Sequence, residues 1–170
     1  MENVVIGIVQ KPLDAQRLID ELVSNCRCDR ENISVIAKGA GAPGNDVVTG
    51  LARRLAELGG AAASAAGGAT SRAAESLLGV VTRTAPDRGV FSAAGPWALA
   101  LAGASLSMAG GLAKALAKAG TPEHLSWSYA EAVERGAILV SVEAATDNIA
   151  RCVHEVMARH GALAAEHAPH

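Results

Sequence analysis

An abrupt change of composition divides this chain into three stretches and constrains its fold more than any other feature of the sequence. Residues 39–120 contain 24 Ala and 15 Gly among 82 positions, and only 11 of those positions are charged. The other 88 residues carry the remaining 21 charged side chains and nearly all of the β-branched segments. Two flanks of ordinary globular composition, residues 1–38 and 121–170, therefore enclose a small-residue insert.

The N-terminal flank shows the pattern of a strand, a helix and a second strand. Residues 4–9 form a continuous apolar run rich in β-branched side chains, which is typical of a covered strand. Apolar residues then recur at helical spacing, at Ala15, Leu18, Ile19, Leu22 and Val23. Residues 33–37 are again rich in β-branched side chains. The order predicted for this flank is β-α-β.

The C-terminal flank begins with a helix start signal. Thr121 is a candidate N-cap, Pro122 suits the first helical position and Glu123 favours the helix N-terminus. Residues 137–143 alternate as a strand should, and Thr146 is placed to cap a second helix. Residues 162–166 favour a short final strand. The order predicted here is α-β-α-β.

Joined together, the flanks predict an α+β fold, a ferredoxin-like βαββαβ sandwich with a long Ala/Gly-rich helical insert between strands 2 and 3. Residues 1–38 would form its first half, residues 39–120 the insert, and residues 121–170 the second half with a His-containing tail. The first and third strands are the most apolar, so we expect them at the two middle positions of the sheet.

Both flanks resemble the general stress protein 17M-like (heat-induced stress protein) family, over roughly half of the chain. The resemblance is carried by residues 4–9, 29–36 and 121–142, with Asp14 leading a helix, and by Tyr129 and Gly136. It implies a ferredoxin-like domain and, in longer members, an Ala/Gly-rich middle, and it supplies no established catalytic or cofactor residues to carry over to this chain. Trp127 and the His-rich tail depart from the family pattern and inherit nothing from it.

The insert is where we expect the function to lie. Its sequence pattern predicts three helical segments, which begin near Asn45, Ala61 and Pro96, and the third extends to Ala119. On the third piece one sector about 100° wide holds the large apolar residues that we predict as an interaction face, while Leu99 and Leu106 lie nearly opposite. The predicted face consists of Trp97, Leu101, Met108, Leu112 and Leu116. Small residues that permit close packing follow at multiples of four: Gly95, Gly103, Ser107 and Gly111.

Residues 89–113 are 25 positions without a formal charge, which satisfies the length of a membrane span. They are mostly Ala, Gly and Ser, however, and a single crossing would place the two halves of the sheet on opposite sides of the bilayer. We therefore favour a soluble helical layer or an oligomer interface. A surface-associated or re-entrant hairpin and an integral span stay as alternatives.

A glycine motif and the thiols suggest ligand sites, each weighed against a simpler interpretation. Residues 39–44 match GxGxxG, but no strand ending in an acid follows about 20 residues on, so a hinge is favoured over a nucleotide site. Cys26, Cys28, Cys152 and His154 could be imagined around a metal. Cys152 and His154 are two apart on a predicted helix, so their side chains point about 200° from each other and cannot both face one metal ion. Ordinary thiols are therefore favoured over a metal site.

The remaining observations exclude some functions. A net charge of −2 and four aromatic residues argue against nucleic-acid binding. His160, His167 and His170 fit a solvated tail as well as a weak metal site. No hydrolase elbow, Walker loop or zinc-protease motif is present. The N-terminus lacks a signal pattern and the cysteines are odd in number, so we expect a cytoplasmic protein.

These observations predict a non-enzymatic, stress-associated interaction or structural protein without a cofactor. Its insert would mediate self-association into a homo-oligomer or docking on an apolar surface, and the edge strands of its sheet could also pair. Two alternatives stay open. One is a small-ligand module, for a nucleotide or a metal, or a redox module. The other is a peripheral or re-entrant membrane-associated protein.

Overall fold

The computed structural model describes residues 3–39, 47–58, 80–85, 89–106 and 110–167. These residues form an α+β fold with one antiparallel sheet and six α-helices. The strands are β1 (Asn3–Val9), β2 (Ile33–Gly39), β3 (Val81–Ala85), β4 (Gly89–Ala94), β5 (Ile138–Ala144) and β6 (Leu163–His167). The helices are α1 (Pro12–Ser24), α2 (Val47–Leu58), α3 (Pro96–Ala102), α4 (Gly111–Lys118), α5 (Glu123–Glu134) and α6 (Asp147–Arg159).

The sheet joins the two flanks of the sequence. Its strand order is β3-β4-β2-β5-β1-β6, with every neighbouring pair antiparallel. The strands predicted from the flanks are therefore adjacent, with β5 and β1 at the middle of the four. Val5 lies opposite Val142, Gly7 lies opposite Val140, and the three valines are fully buried. The expectation that the distant flanks close into one sheet is confirmed.

The prediction of an entirely helical insert that is looped out from the sheet is corrected at residues 81–94, although α2, α3 and α4 are helices within the insert. Residues 81–85 and 89–94 are strands β3 and β4, which extend the same sheet beyond β2. The reason is burial, because Phe91 on β4 is 1% exposed and Ala93 is fully buried. A large apolar residue flanked by small ones is compatible with a buried strand as well as with a helix. Most of the helix predicted from Ala61 lies outside the described residues.

The single helix predicted from Pro96 to Ala119 is broken into α3 and α4. Gly103 follows α3, and Gly110 precedes α4 with a φ of +74°, which L side chains rarely adopt. The left-handed conformation of Gly110 is incompatible with one continuous helix through this position. The helix predicted near Asn45 is confirmed in its described part as α2.

Alternation along the strands gives the sheet two apolar faces, each covered by helices. Val5 on β1 belongs to a first core with α1, α2 and α6, whereas its neighbour Ile6 belongs to a second core with α3, α4 and α5. Ile36, Phe91 and Leu139 extend the second core along β2, β4 and β5. The described chain is therefore a three-layer arrangement of helices, sheet and helices.

The start signals of the later helices are confirmed in part. Thr146 caps α6, since its Oγ1 accepts a hydrogen bond from the Ile149 backbone N–H at 3.3 Å. Thr121 does not cap α5, which corrects that prediction. The N-cap of α5 is Pro122, and Oγ1 of Thr121 is buried without a hydrogen-bond partner among the described residues.

Candidate interaction face

The apolar stripe predicted as an interaction face is part of the chain's own second core. Trp97, Leu101, Leu112 and Leu116 are each at most 4% exposed, and Met108 lies outside the described residues. Their burial corrects the prediction that these residues form an interaction face. The spacing indicated that these side chains would be buried, but the surface that buries them is the sheet and not a partner. They anchor α3 and α4.

The predicted close-packing residues act within the chain in the same way. A Cβ at Gly95 would lie 2.2 Å from the Ile33 carbonyl oxygen, and one at Gly111 would lie 2.1 Å from that of Ser105. Both glycines therefore permit close backbone approach inside the fold. Gly103 is exposed, and Ser107 lies outside the described residues.

The large apolar side chains that the structure leaves exposed are Leu99, Trp127 and Leu13, at 81%, 58% and 56%. Leu99 lies on α3 and Trp127 on α5, so both belong to the layer over the second core. Leu13 lies on α1, on the opposite side of the sheet. The sequence contained a signal for Leu99, since it falls opposite the buried stripe, but none for the exposure of Trp127 in the same layer of helices.

We call the solvent side of α3, α4 and α5 the helical face, and define it by Leu99, Lys114, Lys118, Trp127 and Glu131. Helix α4 lies between the other two because it contacts both of them. The five defining side chains are exposed. The helical face thus has three neighbouring ridges with a groove on each side of α4.

The groove between α3 and α4 has a volume of about 330 Å³ and carries both lysines of the face. Its other walls are small, with Gly103 and Ser105 among them. The groove between α4 and α5 has a volume of about 350 Å³ and is lined by Leu112, Trp127 and Glu131, among others. One groove is therefore basic at its rim, and the other is aromatic and acidic.

Gly110 holds the Trp127 indole against the backbone. A Cβ at position 110 would lie 2.3 Å from Cη2 of Trp127, so only glycine lets the ring lie over this point. The ring is thereby placed at the start of α4 while more than half of its surface stays in water. Tryptophan positioned in this way is typical of side chains that dominate binding at protein interfaces.

Opposite charges lie on neighbouring ridges of the helical face. Lys114 and Lys118 are the charged residues of α4, whereas α5 contains Glu123, Glu131 and Glu134 and no Lys or Arg. Glu131 also pairs with Arg135 one turn later, with Nη2 and Oε1 2.5 Å apart. The face is therefore divided into a basic and an acidic strip.

The cysteines predicted as ordinary thiols are instead paired in part. Cys26, just after α1, forms a disulfide with Cys152 on α6, with their Cα atoms 5.6 Å apart. Cys28 keeps a free, buried thiol. Burial and the nearby Asp29 carboxylate raise its pKa to about 11, so the thiol is protonated at neutral pH and is a poor nucleophile.

The imagined metal ligands are therefore not brought together as a set. In the part of the chain that the structure describes, no three His, Cys, Asp or Glu side chains converge as a metal site would require. Nε2 of His160 lies 2.9 Å from a Glu21 carboxylate oxygen, which links α6 to α1. His170 lies outside the described residues, as does most of the GxGxxG segment.

None of the helices described here is long and apolar enough to span a bilayer. The uncharged stretch at residues 89–113 is divided among β4, α3 and the start of α4.

Comparisons of the chain with family models, with curated proteins and with solved structures found no match.

Proposed function

We propose that this chain is a non-enzymatic interaction protein that self-associates through the helical face. The observation that carries the proposal is the exposure of Leu99 and Trp127 on one face, beside two open grooves. Exposed apolar area gains roughly 25 cal/mol for each Å² removed from water, so two large side chains on one face favour contact. The association with stress follows from the family resemblance alone.

We also propose that the flanks form a ferredoxin-like unit. Supporting this, the elements β1-α1-β2 and β5-α6-β6 place their strands in the order β2-β5-β1-β6. Helices α1 and α6 both cover the first core. In this proposal the insert adds two strands at one edge and, with α5, covers the second face of the sheet. The unit is then a rigid base for the helical face.

Introducing charge at the exposed apolar side chains tests the function. We expect wild-type protein to show a dimer or larger mass by light scattering, and Leu99→Asp with Trp127→Asp to shift it to a monomer. A carboxylate buried in an interface without a partner costs several kcal/mol. Because both side chains are exposed, the variant should keep the wild-type circular dichroism spectrum.

Leu13→Asp is the matched control for this experiment. It introduces the same charge at an exposed leucine on the other side of the sheet, and we expect it to leave the mass unchanged. A monomeric wild-type protein at every concentration would contradict the proposed function. So would a Leu13→Asp variant that dissociates while the double variant stays associated.

A further inference from the structure

We propose that the partner on the helical face is a second copy of this chain, packed about a twofold axis that lies in the contact plane and runs along α4. The inference rests on the proposed function and adds the symmetry and orientation of the contact. Such an axis reverses the order of the three ridges. Helix α3 of one copy then faces α5 of the other, and α4 faces α4. The contact is isologous and closes at two copies.

The charges of the helical face fit this arrangement. The groove with Lys114 and Lys118 lies on the α3 side of α4, and the groove with Glu131 lies on the α5 side. The twofold axis therefore places the basic groove of each copy over the acidic groove of the other. Two sets of opposite charges meet at once, and complementary charge of this kind fixes the orientation of a contact.

The positions of the charged residues along the α4 axis are also compatible with this dimer. Helices α4 and α5 run in opposite directions, because Gly110 at the start of α4 lies beside residues of the middle and end of α5. The axis preserves height along α4. Lys118 is then level with Glu123 of the second copy, because only residues 119–122 separate the end of α4 from the start of α5. Lys114 lies about 6 Å back along α4, level with the turn around Trp127 of the second copy and one turn from Glu131. Each lysine has a carboxylate within its reach.

The exposed apolar side chains are covered by the same operation. The axis places α3, which carries Leu99, over α5 of the second copy, which carries Trp127, and it does so twice. An indole face also attracts an ammonium group, so the lysines of the second copy gain from an adjacent ring. The geometry that pairs the charges thus also removes both large apolar side chains from water.

An anionic membrane surface is the competing partner for a face with lysines and a tryptophan. Helix α5 argues against it, since Glu123 and Glu131 lie beside the lysine ridge, and Arg135 pairs with only the second of them. A headgroup layer would repel these carboxylates, whereas a second copy brings its lysines to them. The observations therefore favour the second copy.

A charge exchange tests the orientation. One variant carries Lys114→Glu with Lys118→Glu, and the other carries Glu123→Lys with Glu131→Lys. Alone, each variant places like charges against each other, so we expect dimer affinity to fall at least about tenfold in sedimentation velocity. Mixed, the two variants should form a heterodimer of near wild-type affinity, identified by native mass spectrometry.

Matched controls separate the possible outcomes. Lys11→Glu with Arg17→Glu changes the same charge on exposed residues of the α1 side and should leave affinity unchanged. If a reversal variant does not fold, Lys114→Gln with Lys118→Gln should still weaken the dimer and reduce its salt dependence. Variants that dimerise like wild type, with no preference on mixing, would overturn the orientation and leave the proposed function standing.

A wild-type chain that stays monomeric would overturn the proposed function together with this inference. Flotation with phosphatidylserine vesicles provides the second arm of the test. Binding that depends on Lys114 and Lys118, by a monomeric wild type, would assign the helical face to a lipid surface instead. We expect no flotation.

Discussion

Replacing Phe91 with alanine is expected to lower the free energy of unfolding by about 3–5 kcal/mol, the usual cost of removing a buried phenyl ring. Phe91 is 1% exposed on β4, opposite Lys38 of β2 and Arg83 of β3. Its ring belongs to the second core with Trp97 and Leu101. The loss would appear as a lower denaturant midpoint at a concentration where the protein is monomeric.

Leu99→Ala is the control in the same insert. Leu99 is 81% exposed, so its truncation should change stability by no more than about 0.5 kcal/mol. The contrast between the two positions distinguishes an insert built into the core from one that is looped out. A Phe91→Ala variant as stable as Leu99→Ala would show that β4 does not cover the sheet as described.

Replacing Cys152 with serine is expected to cost about 2–5 kcal/mol of stability under oxidising conditions. The bond joins residues 126 positions apart in the sequence, and closing so long a loop strongly restricts the unfolded chain. The disulfide also links the end of α1 to α6. A salt bridge joins the same two helices, with Nη1 of Arg159 3.2 Å from Oε1 of Glu21. Thermal or denaturant unfolding of wild type and variant measures the difference.

Reduction supplies the control for this prediction. With excess dithiothreitol the wild-type Cys26 and Cys152 are thiols, so the two proteins should unfold at nearly the same denaturant concentration. Equal stability without reductant, together with three alkylatable thiols in unfolded wild type instead of one, would show that the bond is absent. Because Cys28 is buried, we expect it to react in both proteins only after unfolding.

The flanks were predictable because their patterns extend over whole elements. The apolar run at residues 4–9 and the stripe of Ala15, Leu18, Ile19 and Leu22 lie in β1 and α1, with the stripe buried. The alternation at residues 137–143 similarly marks β5. The pairing of strands from the two flanks was predictable from their number and order, because two β-α-β units in sequence are typical of one ferredoxin-like sheet.

The insert was less predictable because alanine and glycine leave little pattern. The neighbours of Phe91 in the sequence are small, so the sparse pattern of large apolar residues there fits a helix as well as a strand. The pairing of β4 with β2 decides for the strand. The stripe at Trp97, Leu101, Leu112 and Leu116 indicated burial without saying what covers it. The disulfide could not be inferred, because nothing in the sequence brings Cys26 to Cys152.

Hydrogen exchange followed peptide by peptide at low and high protein concentration tests most directly that the helical face is the self-association surface. The account predicts that peptides covering residues 96–102 and 111–134 exchange more slowly at high concentration. Peptides from α1 and α6, on the other side of the sheet, should exchange at the same rate in both samples. Slowing confined to α1 and α6, or no dependence on concentration anywhere, would contradict the account.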